Sequence, residues 1–574
     1  MTLANTVLLN VVYFWSKIFF QLKQNHFLLF LFFAFCVISC NKCSQKNSKA
    51  VVLVTQSEQV NKEVAKLIET QLNNADTLKL LILEGDSLYA TKQIIEFYRK
   101  NNFNPVWTNK GKRVKQSDTL LELIKNAEDY GLVANDYHVN QIVKFISDEK
   151  DSTIKKYDIL KISEFDILMT DAFFTFAVHI NKGRLNPASL KREWKVAKLN
   201  INLVDVLTNA IQQNTIRAAI DLLEPVNKQY IALKTGLKSF KMEFKNSTWD
   251  SLFKPEFDTL TFKERLKKRL VASHNYVNEN KTSDSIELIN AVKNLQCRHN
   301  LTEDGNIGLL TYKALQQTKQ DYIRQIEINM ERWRYYDEPK ENKYVWINIP
   351  KYEMRVIEKD TLVMKSKVIV GASKTPTPVL KSTIRYFIIY PYWTVPYSIA
   401  TKEILPKLKR DTSYLNKENL EVFDRNKKII DTAINWNKYN IKYFPFTLRQ
   451  RMGEDNSLGI LKFNFNNKYG VYLHDTNNHK LFDKEKRSLS HGCIRLEKSV
   501  DFAEYLIRDN SLKYPIDSLK IDLSKEQQKY IYIKRPISIY INYFTVEADE
   551  NNELFYFIDV YKRDEKMLKE LYGE

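Results

Sequence analysis

The chain has 574 residues, enough for several domains, with 44% hydrophobic and 27% charged residues, a balance that excludes a disordered chain. Its formal net charge of +19 and isoelectric point of about 9.2 suit polyanionic surroundings such as anionic lipid, cell wall or nucleic acid. A Lys- and Asn-rich background composition gives the same balance. No Arg/Lys stripe interleaved with aromatics stands out, so nucleic acid is not an expected partner.

The first feature in chain order is an address. His26 to Ser39 is a short, almost unbroken apolar run, preceded by Lys17 and Lys23 and closed by Ser39 and Cys40. That is the pattern of an export signal over residues 1–40. The run falls short of the about 20 apolar residues that span a bilayer. Val37-Ile38-Ser39-Cys40 resembles the lipobox of bacterial lipoproteins, which implies lipidation of Cys40. Residues 3–22 form a second apolar stretch, so an uncleaved membrane anchor stands beside the lipoprotein reading. Either way most of the chain is expected outside the cytoplasm, on the periplasmic side of the cell envelope, held to the membrane by lipid or anchor. Residues 41–85 are polar and read as a tether. The five cysteines (Cys36, Cys40, Cys43, Cys297 and Cys493) do not make a disulfide framework. A Cys297–Cys493 bridge is arithmetically possible, but a thiol beside two histidines is expected to stay free.

Residues 86–280 are dominated by helical periodicity, as in Phe165–Phe174, with a stop at Gly183 to Pro187. The polar run Lys281–Ser285 leads into a small module over 286–317: a helix through Ala291–His299, a turn at Asp304-Gly305, and a second helix from Thr311 to Gln317. This pattern resembles the peptidoglycan-binding module of cell-wall enzymes, with Asn300 where a Gly is usual, and His299 is expected to pack rather than ligate. A helix at about 320–334 fills a linker over 318–342. From 343 to 574 the character is mostly β, with strands at Tyr344–Pro350, Val368–Gly371 and Ile384–Tyr390. Ile537–Phe544 and Leu554–Ile558 flank the acidic turn Asp549–Asn552 and predict a closing hairpin. The polar segment 398–455 interrupts this region. It reads as a lid over a site or as a surface insertion. The expected fold class is multidomain α+β: a helical domain, a small helical module and a mostly-β domain.

Candidate chemistry concentrates in Ser490-His491-Gly492-Cys493-Ile494-Arg495, with His474 upstream in Tyr472-Leu473-His474-Asp475-Thr476. A thiol with a free pKa of about 8.5 attacks carbonyls only as thiolate. His474 can take its proton and form a thiolate–imidazolium pair. Gly492 leaves room for a carbonyl, and the backbone N–H groups of Gly492 and Cys493 can form an oxyanion hole. His491 would shape the site, and Arg495 would hold a carboxylate or fix the loop. His474, His491 and Cys493 are also possible zinc ligands, but zinc would occupy the nucleophile and no fourth ligand is evident. A buried Cys with two satisfied histidines is the plainer reading. No metal and no cofactor are expected.

This motif, with His474 upstream, resembles the signature of the L,D-transpeptidase (YkuD) family. Phe446–Gln450, Asn456–Gly459, Lys462-Phe463 and Trp393–Pro396 resemble its large multidomain branch. Asn102–Trp107, Tyr130–Leu132 and Thr170–Phe173 resemble that branch's scaffold domain. Asn466 and Asn477 stand where Pro is common. The resemblance implies a peptidoglycan L,D-transpeptidase. Cys493 would attack a tetrapeptide stem, release D-alanine and pass the acyl group to the side-chain amine of a neighbouring stem. It also implies that the 398–455 insertion caps the site, and it implies acylation of Cys493 by carbapenems. A carboxypeptidase using water as acceptor, and a non-catalytic peptidoglycan-binding lipoprotein, are the alternatives.

Overall fold

The computed structural model describes residues 53–78, 82–83, 86–151, 156–185, 201–247, 249, 261–276, 283–430, 433–508 and 514–573. The export signal, the alternative anchor at 3–22 and Cys40 lie outside the described residues. Among the described residues, no helix is long and apolar enough to cross a membrane. The chain is a multidomain α+β protein, helical first and mostly β at the C-terminal end.

The helical unit starts earlier than its periodicity predicts. Ser57–Leu78 is one helix in which Val60, Val64, Ile68 and Leu72 recur every fourth position and are fully buried. They share an apolar core with the helices Thr91–Lys100, Lys115–Lys125 and Ile159–Lys182. The tether expected over 41–85 is therefore corrected. That stretch is polar on average but carries a one-sided apolar stripe, and the stripe packs. Within the same core the buried Asp166 carboxylate accepts the backbone N–H groups of Val106, Trp107 and Thr108 and the Tyr98 hydroxyl. The Asn102–Trp107 stretch is thus wrapped on an acid from the long helix.

The small module is two helices, Asp284–Arg298 and Leu309–Gln316. Gln296 bridges their turn, accepting from the Gly305 N–H and donating to the Asn306 carbonyl, both at 2.9 Å. Asn300 has φ +53°, which explains why a glycine suits this position and why Asn can replace it. His299 is buried against the Tyr322 hydroxyl at 2.8 Å, a packing role. The following helix, Lys319–Arg334, is mostly buried and acts as an axle more than a linker. Its Glu331 accepts the backbone N–H groups of Arg184 and Leu185, and its Arg332 pairs with Asp564 at 2.6 Å. It therefore joins the helical unit to the end of the chain.

The β region centres on nine strands: β1 (Lys343–Asn348), β2 (Glu353–Glu358), β3 (Thr361–Gly371), β4 (Leu380–Ile389), β5 (Leu461–Phe465), β6 (Leu473–His474), β7 (Ser488–Ser490), β8 (Ile494–Leu496) and β9 (Lys529–Asn542). Their order is β7-β3-β8-β6-β5-β4-β9-β1-β2, and β2 also pairs with β3, so the sheet curls back on itself. The hairpin expected from Ile537–Phe544 and Leu554–Ile558 is corrected. Ile537–Asn542 belongs to β9, which pairs antiparallel with β4 and parallel with β1. Its alternating isoleucines are buried in the sheet's core, and so a central position wins over a local turn. A smaller hairpin forms instead, Val546–Ala548 with Leu554–Tyr556.

The insertion between β4 and β5 has its own core, including Ile404, Leu408, Trp436 and Phe444. A three-stranded sheet of Trp393–Thr394, Thr447–Gln450 and Leu420–Phe423 supports it.

Candidate active site

Strand pairing gathers the candidate residues. β6 pairs parallel with β8, placing Leu473 opposite Ile494 and His474 opposite Arg495. β5 flanks β6 on its other side and places Lys462 opposite His474. Lys462, His474 and Arg495 thus form one row across three strands. Side chains alternate along a strand, so Tyr472 and His474 share a face, as do Cys493 and Arg495. Tyr472 stands beside Cys493, and its ring lies 5.6 Å from that of His474. Lys462 Nζ sits 4.0 Å from the centre of the Tyr472 ring.

The loop carrying Cys493 is shaped by backbone demands. Gly492 has φ +113°, a conformation that side chains rarely adopt. Gly371, at the end of β3, approaches so closely that a Cβ would stand 3.0 Å from Gly492 Cα and 2.1 Å from the Thr375 carbonyl. Behind the loop, the Thr377 hydroxyl donates to the Gly492 carbonyl and accepts the Gly371 N–H, each at 2.8 Å. The Thr377 N–H donates to the Tyr561 hydroxyl at 3.1 Å, and that hydroxyl donates to the Gly371 carbonyl at 2.8 Å. A polar path thus runs from the C-terminal segment to the residue before Cys493.

The Asn456–Gly459 stretch has a comparable role. Asn456 accepts the Leu458 N–H, Gly459 turns at φ +61°, and Asp475 accepts the Ile460 N–H. This turn sets the Leu458 backbone against His474.

Electrostatics correct the expected ion pair. Burial pushes the Cys493 thiol up, while the Tyr472 backbone and hydroxyl and the charges of Lys462 and Arg495 pull it down by less. Burial, then the Arg495 charge, lowers His474 to about 3. The resting pair is therefore a neutral thiol and a neutral imidazole. No hydrogen bond joins them among the described residues. The thiol faces the Gly470 carbonyl at 4.0 Å, and among the described residues His474 Nδ1 is buried without a partner. Lys462 and Arg495 are also lowered by burial. Neither has a carboxylate partner among the described residues, and Arg495 Nε is a buried donor without an acceptor.

The expected oxyanion hole is half altered. The Gly492 N–H is spent on Ser490 Oγ at 3.2 Å, and the same hydroxyl donates to the Cys493 carbonyl. The Cys493 N–H has no partner among the described residues and remains available. His491 turns outward and meets Glu403 of the insertion at 2.6 Å. It therefore links the loop to the insertion, on the wall of the cleft that also holds His474 and Cys493. Among the described residues no His, Cys, Asp and Glu cluster could hold a metal ion. Cys297 and Cys493 are both free thiols.

A cleft of about 460 Å³ contains Cys493, His474, Arg495 and Tyr472, with Trp393, Ile399, Glu403 and Tyr414 of the insertion on the opposite wall. Sequence reasoning assigned no role to Lys462, Tyr472, Thr377, Tyr561 or Glu403. The strand Leu461–Phe465 does put Lys462 and Asn464 on the face opposite its buried residues, but only the register shows what Lys462 faces.

Residues 92–237 match the family described as Scaffold domain, and residues 342–512 match the YkuD L,D-transpeptidase catalytic domain. A Haemophilus influenzae (strain ATCC 51907 / DSM 11121 / KW20 / Rd) protein named "Putative L,D-transpeptidase" is 31% identical over 224 residues, 39% of this chain and 45% of that protein. The chain thus matches less than half the length of that curated relative. The crystal structure of an L,D-transpeptidase (Yku) from Stackebrandtia nassauensis is 16% identical and covers 50% of this chain and 95% of that one; its TM-score of 0.20 carries no structural argument.

Proposed function

Since the chain carries a YkuD L,D-transpeptidase catalytic domain and a scaffold domain, we propose that it is a peptidoglycan L,D-transpeptidase acting through a Cys493 acyl-enzyme. One observation carries the reading: Cys493 opens into the cleft beside Tyr472, with His474, Arg495 and Lys462 in one row and its own N–H unspent.

In the first step the thiol proton passes to His474 as sulfur bonds to the carbonyl carbon of the third stem residue. The Cys493 N–H, with the cations nearby, faces the developing oxyanion. The C–N bond to the terminal D-alanine then breaks, and the imidazolium supplies its proton. In the second step the side-chain amine of another stem attacks the thioester. A C–N bond forms, the C–S bond breaks, and the thiol is restored. No cofactor enters either step.

A neutral imidazole is the form that accepts a proton, and a thiolate formed during attack meets two cations that have no carboxylate partner among the described residues. His491 and Gly492 act on the loop, not on the substrate. The insertion walls the cleft and favours amine over water as acceptor. The 286–317 module would hold glycan, and lipidation of Cys40 or the N-terminal anchor would hold the chain at the envelope.

The test is incubation of the protein, and of its Cys493→Ala variant, with tetrapeptide muropeptides, read by mass spectrometry. Crosslinked dimer that depends on Cys493 is expected. Tripeptide alone would mean a carboxypeptidase. No Cys493-dependent product would leave only the wall-binding reading.

A further inference from the structure

A second cleft, of about 690 Å³, lies against the other side of the nucleophile loop. It shares Thr375, Tyr469, Val471 and His491 with the first cleft and reaches Gly492. Its far wall is the C-terminal segment, which lies beyond the matched catalytic region 342–512. Its size falls within the roughly 300–1,000 Å³ typical of ligand sites.

Four cations line it: Arg332, Lys562, Arg563 and Lys566. Three of them face carboxylates, Arg332 with Asp564 at 2.6 Å, Lys562 with Glu565 at 3.1 Å and Lys566 with Glu570 at 3.9 Å. Arg563 has no ion pair among the described residues. Its guanidinium lies 4.7 Å from the Tyr543 ring centre and 5.6 Å from that of Tyr561, two rings stacked 5.6 Å apart. The nearby Asp559 carboxylate is already occupied by the Tyr543 hydroxyl and the backbone N–H groups of Arg563 and Asp564. Burial lowers the pKa of Arg563 on balance, Arg332 adds to this, and Tyr543, Tyr561 and Asp559 oppose it. A half-buried guanidinium, fixed over two rings and without an ion pair among the described residues, suits a planar anion entering from the cleft.

We propose that this cleft, through Arg563, binds a carboxylate of the acceptor peptide stem. The proposal rests on the transpeptidase reading. The first cleft holds the base and the free Cys493 N–H, so the donor carbonyl belongs there. An acceptor amine must reach the thioester from elsewhere, and the second cleft abuts the residue before Cys493. Tyr561 both stacks near Arg563 and, through Thr377, supports Gly492, so the acceptor wall and the nucleophile loop are one hydrogen-bonded unit.

The test uses the whole chain with Cys493→Ala, so that no reaction intervenes. It is titrated with a tripeptide stem, which has an acceptor amine and a carboxylate but no terminal D-alanine. The same peptide with its carboxylates amidated, and inorganic phosphate, are the other probes. Arg563→Gln is expected to weaken tripeptide binding about tenfold, the size of one hydrogen bond to a charged group. Arg563→Lys should recover part of the loss, and amidation should mimic it. With Cys493 restored, Arg563→Gln should raise the acceptor KM and leave single-turnover acylation of Cys493 by tetrapeptide unchanged. Equal tripeptide binding by Arg563→Gln, unaltered binding of the amidated peptide, phosphate binding tighter than the peptide, or a parallel loss of acylation would each overturn the assignment. Absence of acylation in the unaltered protein would refute the transpeptidase reading, and the titration would still decide whether Arg563 binds a carboxylate.

Discussion

Replacing Thr377 by valine should damage the nucleophile loop without touching the cleft. Thr377 is fully buried, and valine keeps its shape while removing the hydroxyl. That hydroxyl serves two partners, the Gly492 carbonyl and the Gly371 N–H. Both would be left without it, and no water can replace an oxygen in space that a methyl group now fills. Each buried orphan costs about 1–3 kcal/mol, so the pair predicts a loss of about 2–6 kcal/mol. The loss should appear as a lower denaturant midpoint for the catalytic domain with an unchanged m value. Acylation of Cys493 should slow as well, because Gly492, at φ +113°, would lose the bond that anchors its carbonyl. Thr377→Ser keeps the hydroxyl and loses one methyl group, so most of the stability and rate should return. A Thr377→Val protein within about 0.5 kcal/mol of the original and acylating at the original rate would refute the argument, since that is the scatter expected of an inconsequential substitution.

Other substitutions probe the same site. Gly492→Ala forces a side chain to φ +113° and should cost about 1–3 kcal/mol and abolish Cys493-dependent crosslinking, although its Cβ would meet only ordinary contacts with the Thr375 and Pro376 carbonyls at 3.7 and 3.8 Å; full activity would contradict the loop argument. His474 is held near 3, below its ordinary 6.5, so the unfolded chain binds its proton first on acidification. The stability this contributes is present above 6.5 and lost as pH falls toward 3. His474→Gln should flatten that part of the stability profile, measured by melting temperature against pH. Glu403→Gln weakens the contact of the insertion with His491; both groups are about half exposed, so stability should change by less than about 1 kcal/mol. The stem-peptide KM should rise, and an unchanged KM would mean that the contact does not position the cap.

The hexapeptide Ser490–Arg495 and His474 were legible as a pair because their residue types are costly to bury without use. The helical unit was legible from its period, and its early start at Ser57 was missed because a charged helix surface hid a four-residue apolar spacing. The error at Ile537–Phe544 has the opposite origin. Two β-prone runs around a turn favour a local hairpin, but the partners of β9 lie about 150 and 190 residues upstream, and pairing over such distances leaves no local trace. The supports of Cys493 share this property. Thr377 and Tyr561 are separated by 184 residues and look ordinary until the fold brings them together.

Lys462 gives the sharpest test of how the nucleophile is controlled. It lies opposite His474 across the strands and lowers the pKa of both His474 and Cys493. It is itself lowered by burial and has no carboxylate partner among the described residues, so its charge is carried at a cost. Methionine fills similar space without the charge. Lys462→Met should therefore leave stability unchanged or raise it, while both pKa values move up. For Cys493 the sign is decisive: a higher pKa means less thiolate at a given pH, so the midpoint of iodoacetamide alkylation against pH should move upward and acylation at pH 7 should slow. Arg495 remains and Cys493 stays partly buried, so the shift should be partial. A midpoint that stayed in place or moved down would mean that Lys462 does not stabilise the thiolate, and the row across β5, β6 and β8 would then owe its chemistry to Arg495 alone.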